Sequence, residues 1–441
     1  MAKRVVILGA GESGTGAAIL AYTKGFETFV SDFSVIKENY KQELNHYAIK
    51  WEEKKHTYDK ILNADIVIKS PGIADTVPII QQIKSKNIPI LSEIEFAGRY
   101  SSAKMICITG SNGKTTTTSL LYHIFNTAHK NVGLAGNIGL SLARQVALDS
   151  HDYYIIELSS FQLDNMYQFK ADIAILLNIT PDHLDRYDYC MNHYIDAKFK
   201  VTQNQTAEDY FIYWKDDPIL KAEVAKRIIS AQKIAFSTLS RSNTFANTDQ
   251  ISACNNMLCI DRSKIKLNGQ HNLYNAMAAI SAAYLAGINK QEIEQGLDTF
   301  TGVEHRLEYV TTLNGVQYIN DSKATNVDSC SYALQAMNTP TILILGGKDK
   351  GNDYSLIADL ILRKCKGLIF LGADNEKLHH FFDSFGLPIA DAKSMPKAIH
   401  EARRMAKPGD TILLSPCCAS FDLFNSYEHR GEVFKKTIKG I

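Results

Sequence analysis

The hydrophobic pattern of the first hundred residues alternates between short apolar runs and helical stretches. Arg4–Leu8 is a β-branched run, and a helical pattern follows it to about Tyr22. The predicted strands of this block are Arg4–Leu8, Thr28–Ser31, Ile66–Lys69 and Ile88–Leu91. Strands that alternate with helices predict a small parallel sheet with crossover connections.

A second block repeats this alternation. Its predicted strands are Met105–Thr109, Tyr153–Glu157 and Ile173–Asn178, and a helix rich in alanine runs from Asn272 to about Leu285. Residues 206–266 contain only short β-like pieces, which favours an inserted or edge sheet.

A third block begins near Gly302. Its predicted strands are Gln317–Asn320, Thr341–Leu345, Gly367–Leu371 and Thr411–Ser415, with a helix over Met395–Met405. The pattern predicts an α/β protein of three domains, at residues 1–98, 99–303 and 304–441. The first and last are expected to be Rossmann-like, and the central one is expected to be of the P-loop ATPase type.

Composition excludes several classes of protein. The chain has 441 residues, 45% of them hydrophobic and 22% charged, and a formal net charge of +1. This balance gives no electrostatic case for nucleic acid or an anionic membrane as a partner. No apolar run approaches the roughly 18 residues of a membrane span, and the first residues lack the pattern of a signal peptide. The eight cysteines form no C-x-x-C unit, so we expect a cytoplasmic protein with reduced thiols and no zinc site.

The strongest chemical signal is Gly110-Ser-Asn-Gly-Lys-Thr-Thr116, which follows an apolar strand and opens a helix. Glycines let backbone N–H groups turn inward around phosphate oxygens, and the helix terminus adds its dipole. Lys114 would reach the terminal phosphates, and the Thr115 hydroxyl would ligate Mg²⁺. Ile108 stands where the common P-loop has its first glycine. The segment nevertheless predicts binding of a nucleoside triphosphate.

A second glycine loop is ambiguous. Gly9, Gly11 and Gly14 fit G-x-G-x-x-G after a strand, and Asp32 lies where a ribose-binding acid is expected. This pattern is typical of NAD-dependent dehydrogenases. The same geometry would accept the diphosphate of a nucleotide sugar, and the motif alone leaves both alternatives open.

Polar residues follow other predicted strands. Glu157 ends an apolar strand and could hold Mg²⁺, although a helix-capping acid is the alternative. Asp182, His183 and Asp185 follow the next strand, and helix capping would explain them equally well. Lys198, within Asp196-Ala-Lys-Phe-Lys200, has the pattern of a solvated lysine on an amphipathic helix.

In the third block, four polar segments each follow a strand or lie at a block edge. They contain cations and hydroxyls suited to carboxylate and phosphate groups, at the sheet edge where α/β proteins bind ligands. They are His305-Arg-Leu-Glu308, Asn320-Asp-Ser-Lys-Ala-Thr-Asn326, Gly346-Gly-Lys-Asp-Lys-Gly351 and Ser415-Pro-Cys-Cys-Ala-Ser-Phe-Asp422.

Taken together, the motifs resemble those of the Mur ligases of peptidoglycan synthesis, over essentially the whole chain. The resemblance rests on the phosphate loop, Glu157-Leu-Ser-Ser, Asp182-His-Leu-Asp185, Gly269-Gln-His-Asn-Leu-Tyr-Asn275, His305-Arg-Leu-Glu308 and Asn320-Asp-Ser-Lys-Ala-Thr325. It implies ATP-driven amide bond formation. Within the family, Gly9-Ala-Gly-Glu-Ser-Gly14, Gly136-Asn-Ile-Gly139 and the segment from Leu414 to Phe424 favour the member that adds D-glutamate to UDP-N-acetylmuramoyl-L-alanine.

The resemblance also implies roles for individual residues. The residues implied for catalysis are Lys114, His183, Lys198 and His305. Those for ATP are Gly110, Ser111, Asn112, Gly113, Lys114, Thr115, Thr116, Asn272, Arg306 and Asp321. Those for metal are Thr115, Glu157, His183 and Lys198, the last as a carbamate formed with CO₂. Those for the UDP substrate are Ser13, Asp32, Gly72 and Asn137. Those for D-glutamate are Lys323, Thr325, Lys350, Ser415 and Phe421, with Lys348 as an alternative to Lys350.

The implied cofactors are ATP and two Mg²⁺ ions, and the implied partners are small-molecule substrates of a monomer. Three alternatives remain at this point. The nearest is another amino-acid ligase of the same family, of the L-alanine-adding or folylpolyglutamate type. An NAD-dependent dehydrogenase would leave the phosphate loop unexplained, and a non-catalytic NTP-binding switch would not need the four polar segments of the third block.

Overall fold

The computed structural model describes residues 3–182, 184–267, 269–349 and 351–440. Within these ranges the chain forms three β-sheets flanked by helices, which confirms the predicted α/β class. None of the described helices is long and apolar enough to span a membrane.

The first sheet has five parallel strands in the order β3-β2-β1-β4-β5. Its strands are β1 (Arg4–Leu8), β2 (Glu27–Ser31), β3 (Lys50–Glu52), β4 (Ile66–Lys69) and β5 (Ile90–Leu91), and its helices are α1 (Glu12–Thr23), α2 (Glu38–His46), α3 (Tyr58–Ile61), α4 (Pro78–Ser85) and α5 (Glu93–Gly98). Because the order reverses at β1, the glycine loop after β1 and the turn after β4 lie at one edge, where such sheets bind ligands.

The second sheet has nine strands in the order β14-β13-β12-β11-β10-β9-β6-β8-β7. Its strands are β6 (Lys104–Thr109), β7 (Val132–Gly136), β8 (Tyr153–Glu157), β9 (Ile173–Leu176), β10 (Tyr210–Trp214), β11 (Gln232–Ser237), β12 (Thr244–Ala246), β13 (Gln250–Ala253) and β14 (Leu258–Asp261). The helices are α6 (Lys114–Thr127), α7 (Leu142–Leu148), α8 (Ser160–Asp164), α9 (Met191–Phe199), α10 (Pro218–Lys226), α11 (Gln270–Leu285) and α12 (Lys290–Thr299).

Strand order in this sheet determines the position of the phosphate loop. β6 pairs in parallel with β8 on one side and with β9 on the other, so the segments after these three strands meet at one edge. The strands of residues 206–266 extend the opposite end of the sheet, and β13 and β14 are antiparallel. The edge sheet predicted for this stretch is therefore confirmed.

The third sheet has six strands in the order β15-β16-β20-β17-β18-β19, and only β15 is antiparallel to its neighbour. Its strands are β15 (Glu308–Leu313), β16 (Val316–Asn320), β17 (Thr341–Gly346), β18 (Cys365–Leu371), β19 (Ile389–Ala392) and β20 (Thr411–Cys417), and its helices are α13 (Val327–Ala336), α14 (Ser355–Lys364), α15 (Glu376–Phe382), α16 (Met395–Met405) and α17 (Tyr427–Lys439). The bounds of α16 are those predicted.

The chain divides into two compact units. One contains Met1–Lys266 with Tyr274–Phe300, and the other contains Leu267–Leu273 with Thr301–Ile441. The first unit therefore includes the first two sheets, and the boundaries predicted near residues 98 and 303 stay predictions.

Acidic side chains of α1 and α5 connect the first two sheets. The fully buried Glu95 of α5 accepts hydrogen bonds at Oε2 from the backbone N–H groups of residues 167, 168 and 169, at 2.9 to 3.0 Å. Arg99 neutralises its other oxygen at 2.7 Å. Glu12 of α1 pairs with Arg144 of α7 at 2.8 Å. A buried carboxylate such as that of Glu95 is stable only with such partners. Together with the half-buried Glu12–Arg144 pair, these contacts hold α1 and α5 against the second sheet.

Candidate active site

The phosphate loop is a tight turn between β6 and α6. Gly110 has φ of +148° and Gly113 has φ of +84°, a region that residues with a side chain rarely adopt. Gly113 is the residue before the first helical residue, Lys114. The loop therefore presents backbone N–H groups and a helix N-terminus together, which is a favourable site for phosphate.

The loop is anchored to the segment after β9. The Ser111 hydroxyl donates to the carbonyl oxygen of Thr180 at 2.8 Å and accepts from the Thr180 N–H at 2.9 Å. Asn178 accepts from the Asn112 N–H at 2.8 Å and donates to the Asn112 carbonyl at 3.0 Å. Four hydrogen bonds thus hold the loop against the segment after β9.

Two lysines converge on this loop. The Nζ atoms of Lys114 and Lys198 both donate to the carbonyl oxygen of Gly110, each at 2.8 Å. Lys198 is 1% exposed, which corrects the solvated lysine expected from the pattern of α9. Burial, with the nearby charge of Lys114, lowers the pKa of Lys198 well below its ordinary value. The lowered pKa favours the neutral amine, which is the nucleophilic form of a lysine.

Glu157 lies beside the loop at the end of β8 and is 1% exposed. Its Oε1 accepts from Asn137 Nδ2 at 2.7 Å, whereas Oε2 is buried without a hydrogen-bond partner among the described residues. The buried Thr116 hydroxyl likewise finds no partner in this part of the chain. Because a buried carboxylate oxygen is costly unless bonded, these atoms fit a bound metal and nucleotide.

The first sheet holds its glycine loop through Asp32. The carboxylate accepts from the Ala10 N–H at 2.6 Å and from the Ser34 N–H at 2.7 Å. Ser13 lies half-buried in the first turn of α1, and Gly72 is exposed in the turn after β4. These three lie at the predicted edge, whereas Asn137 is in contact with Glu157.

The third sheet carries a buried acid, Asp321, directly after β16. Its carboxylate accepts from the Ser415 hydroxyl at 2.9 Å and from the Leu307 N–H at 3.2 Å. Burial raises the pKa of Asp321 to about 6, against the opposing charge of Arg306. The Arg306 Nε is itself buried without a partner among the described residues. The structure thus brings Arg306, Asp321 and Ser415 together, with Ser415 completely buried.

Other residues predicted in this sheet are less closely grouped. Lys323 and Thr325 lie in the turn between β16 and α13, and the Lys323 Nζ lies 5.2 Å from the ring centre of Tyr427. Phe421 is 68% exposed. His183 and Lys350 lie outside the described residues, and Lys348 is exposed. Asn272 is buried in the first turn of α11.

Comparison with known proteins gives full-length matches. The Mur ligase middle domain profile matches residues 108–283, the Mur ligase glutamate ligase domain matches residues 305–418, and the MurD N-terminal domain matches residues 4–78. The UDP-N-acetylmuramoylalanine–D-glutamate ligase of Bacteroides thetaiotaomicron is 61% identical over 441 residues, covering 99% of each chain. The enzyme of that name from Porphyromonas gingivalis is 56% identical and covers 98% of each chain.

The chain belongs to the Mur ligase family. Solved Mur ligases share its fold. The UDP-N-acetylmuramate–alanine ligase of Thermotoga maritima has a TM-score of 0.64 at 17% identity over 99% of each chain. The MurF ligase of the same organism, solved in complex with ADP, has a TM-score of 0.63 at 14% identity over 99% of this chain and 98% of its own.

Membership in the Mur ligase family decides between the alternatives for the first glycine loop. The loop lies within the segment that matches the MurD N-terminal domain. The glycine pattern therefore no longer supports an NAD-dependent dehydrogenase. The phosphate loop, with isoleucine in place of its first glycine, lies in the Mur ligase middle domain.

Sequence reasoning missed two residues, one beside the phosphate loop and one in the third sheet region of this Mur ligase. The Tyr194 hydroxyl lies 3.0 Å from the Ser111 hydroxyl, and its ring lies beneath the Lys198 Nζ, 4.6 Å from its centre. Tyr194 stands four residues before Lys198, so helical periodicity could have identified it. Arg430 is 1% exposed and donates to the carbonyl oxygens of Ser322 and Cys418. No local signal marks that arginine, since its partners lie on two distant loops.

Proposed function

We propose that this chain is an ATP-dependent ligase that forms the amide bond between UDP-N-acetylmuramoyl-L-alanine and D-glutamate. The observation that carries the proposal is the buried Glu157 Oε2, which has no hydrogen-bond partner among the described residues and lies beside a phosphate loop with two lysines. The acceptor and donor substrates are those in the names of relatives 56% and 61% identical to this chain. We propose that it acts as a cytoplasmic monomer of three domains, at residues 1–98, 99–303 and 304–441.

ATP would bind at the phosphate loop. Gly110, Ser111, Asn112 and Gly113 supply the cradle, and Lys114, Thr115 and Thr116 supply the cation and hydroxyls at the start of α6. Lys114 at present donates to two loop carbonyls at 2.8 Å. When ATP binds, Lys114 would donate to phosphate oxygens in place of these carbonyls. Its charge would then stabilise the negative charge that builds up on the transferred phosphoryl group. Asn272, Arg306 and Asp321 are proposed to hold the adenosine.

Thr115, Glu157, His183 and Lys198 would hold Mg²⁺, which supplies charge neutralisation during phosphoryl transfer. We propose that Lys198 serves as a carbamate. Its burial and the neighbouring Lys114 favour the neutral amine, and only a neutral amine can attack CO₂. The nitrogen forms a bond to the carbon of CO₂ and loses a proton to solvent. The resulting carbamate is an anion, which would also relieve the repulsion between the two lysines.

The reaction would proceed in two steps. The L-alanyl carboxylate attacks the γ-phosphorus of ATP, the bond to the β-phosphate oxygen breaks, and ADP leaves an acyl phosphate. The amine of D-glutamate then attacks the acyl carbon, and the tetrahedral intermediate releases inorganic phosphate and a proton. His305 is proposed to contact the acyl phosphate. Exclusion of water from the site would protect the acyl phosphate from hydrolysis.

The two substrates would use the other predicted residues. Four residues are proposed to bind the UDP substrate. Ser13, Asp32 and Gly72 lie at the switch point of the first sheet, and Asn137 lies beside Glu157. Lys323, Thr325, Lys350, Ser415 and Phe421 are proposed for D-glutamate. The complete burial of Ser415 and its bond to Asp321 support an indirect role for its hydroxyl. Tyr427 joins this set through its contact with Lys323.

The test is phosphate release from ATP with UDP-N-acetylmuramoyl-L-alanine and one amino acid at a time. We expect release with D-glutamate, and none with L-glutamate, L-alanine or a diamino acid. The product should gain the mass of one glutamyl residue. Release with another amino acid in place of D-glutamate would contradict the assignment while leaving the ligase chemistry in place.

A further inference from the structure

Asn320, the last residue of β16, is completely buried, and its amide orientation follows from its neighbours. Its Oδ1 accepts from the Ser322 N–H at 3.2 Å, and its Nδ2 donates to Glu308 Oε2 at 2.9 Å. Glu308 is paired with Lys435 at 3.0 Å, so its carboxylate only accepts hydrogen bonds. The amide nitrogen, and not the oxygen, must therefore face Glu308.

The same amide nitrogen lies 2.9 Å from Nδ1 of His305. Because Nδ2 of an asparagine only donates, Nδ1 of the imidazole must accept. A neutral imidazole with an accepting Nδ1 carries its proton on Nε2. We propose that Asn320 is a positioning residue that holds His305 as the Nε2–H tautomer, so that His305 serves the ligase as a hydrogen-bond donor and not as a base.

The ring has little freedom to escape this arrangement. His305 has φ of +62°, and its backbone N–H donates to Glu308 Oε2 at 2.9 Å. Its carbonyl oxygen accepts from the Lys323 N–H at 3.0 Å. Gly431 packs so closely that a Cβ built there would overlap the ring. The backbone of His305 is thus fixed by two hydrogen bonds, and Gly431 packs against the ring on the side of Nδ1.

The charge state of the ring agrees with this assignment. Burial lowers the pKa of His305 below its ordinary value, against the opposing effects of the carboxylates of Glu304, Glu308 and Glu428. A neutral ring with a proton on Nε2 is suited to an anionic oxygen such as that of a phosphoryl group. The catalytic meaning of this donor rests on the proposed function, whereas the tautomer does not.

The tautomer can be measured directly. Long-range ¹H–¹⁵N correlation spectra of the full chain labelled with ¹⁵N-histidine distinguish protonated from unprotonated ring nitrogens. The signals of His305 are those that disappear in His305→Gln. We expect Nε2 to be protonated and Nδ1 to be unprotonated at neutral pH. Protonation on Nδ1 would overturn the proposal, whatever the activity of the protein.

A charge-conserving exchange then tests the role of Asn320. In Asn320→Asp/Glu308→Gln, the new carboxylate can only accept a hydrogen bond, so it should favour a proton on Nδ1 and the tautomer should change to Nδ1–H. Glu308→Gln alone keeps the asparagine donor and should keep the Nε2–H tautomer. Relative to that single variant, we expect kcat for phosphate release to fall by roughly 100-fold, with KM for ATP and D-glutamate changed less than about twofold.

The outcomes separate this inference from the proposed function. A changed tautomer with unchanged kcat would overturn the donor role. An unchanged tautomer in the double variant would show that Asn320 does not determine it. If the wild-type chain released no phosphate with D-glutamate, the proposed function and the donor role would both fail, and the spectrum would still decide the tautomer.

Discussion

Lys114 and Lys198 donate to the same carbonyl oxygen, that of Gly110, each over 2.8 Å. Two ammonium groups this close in a buried site repel each other, and the effect falls on Lys198 because it is the more deeply buried. Burial and the neighbouring Lys114 thus favour the neutral amine at Lys198. This division of roles leads to two predictions for the nucleotide site.

Lys114→Ala should abolish most ADP release, because the variant lacks the cation proposed to neutralise the transferred phosphoryl group. We expect kcat to fall by roughly 100- to 1000-fold, measured with a coupled ADP assay. Lys104→Ala is the matched control, since Lys104 is exposed at the start of β6. Near-normal turnover of Lys114→Ala would exclude the proposed mechanism.

Lys198→Ala should lose roughly 100-fold or more in kcat, since charge neutralisation by metal is worth several kcal/mol. Short-chain carboxylic acids should restore part of this loss, because a carboxylate can take the place of the carbamate. Lys198→Arg should not be rescued, since a guanidinium cannot be carbamylated and fills the space.

Lys200→Ala is the control for this experiment. Lys200 lies two residues away, is about one-third exposed and contacts Asp164 at 3.4 Å. It should retain its activity and show no response to added carboxylic acids. Failure of every tested acid to rescue a folded Lys198→Ala protein would count against carbamylation.

Glu93 should make stability depend on pH. It is 3% exposed, accepts one hydrogen bond from the Ala143 N–H, and has no partner for Oε2 among the described residues. Burial raises its pKa from 4.5 to about 7. Between these values the folded chain keeps a proton that the unfolded chain has lost, so the free energy of unfolding falls as pH rises through this window.

Glu93→Gln should remove that dependence while keeping the bond to Ala143. At pH 8 the variant should be more stable than wild type by up to about 3 kcal/mol, since one pKa unit is worth about 1.4 kcal/mol. Near pH 4.5 the two should differ little. Urea unfolding at both pH values measures the free energy of unfolding. Glu208→Gln is the control, because Glu208 is exposed. If the free energies of unfolding of Glu93→Gln and wild type differed by the same amount at both pH values, the proposed titration of Glu93 would be wrong.

Gly113→Ala should impair ATP binding and stability together. At φ of +84° an alanine is strained by about 1 kcal/mol, and its Cβ would overlap Oδ1 of Asn275. Gly25→Ala has a similar φ of +79° with open space around the Cβ position. Both variants should lose stability to urea, but only Gly113→Ala should raise KM for ATP several-fold. If KM for ATP in Gly113→Ala stayed as low as in Gly25→Ala, the phosphate loop would tolerate the added Cβ and the prediction would be wrong.

Much of the phosphate site could be predicted from the sequence because its determinants are local. A strand, two glycines, a lysine and a helix start lie within thirteen residues of one another, from Lys104 to Thr116, and each has its own propensity. Strand β3 is absent from the prediction, since Lys50–Glu52 is short and mixed in polarity. Its place at the sheet edge depends on pairing with β2.

Burial of Lys198 could not be predicted in this way. Residues 198 and 200 are separated by about 200° on a helix, so one of the two lysines points toward the core and the other away from it. The pattern of α9 does not say which one is buried. Packing of that helix against the phosphate loop decides it, through Tyr194 and Gly110.

The sequence by itself determined the α/β class, the phosphate loop and the polar segments that follow the strands. These features depend on strand periodicity and loop chemistry, which are set by residues close together in the chain. Only the tertiary structure decided which side chains meet. Asp321 and Ser415 are 94 residues apart, and they bond only because β16 and β20 are neighbours. The tautomer of His305, in the turn before β15, likewise depends on Asn320 at the end of β16, since a hydrogen bond assigns the proton only once both partners are in place.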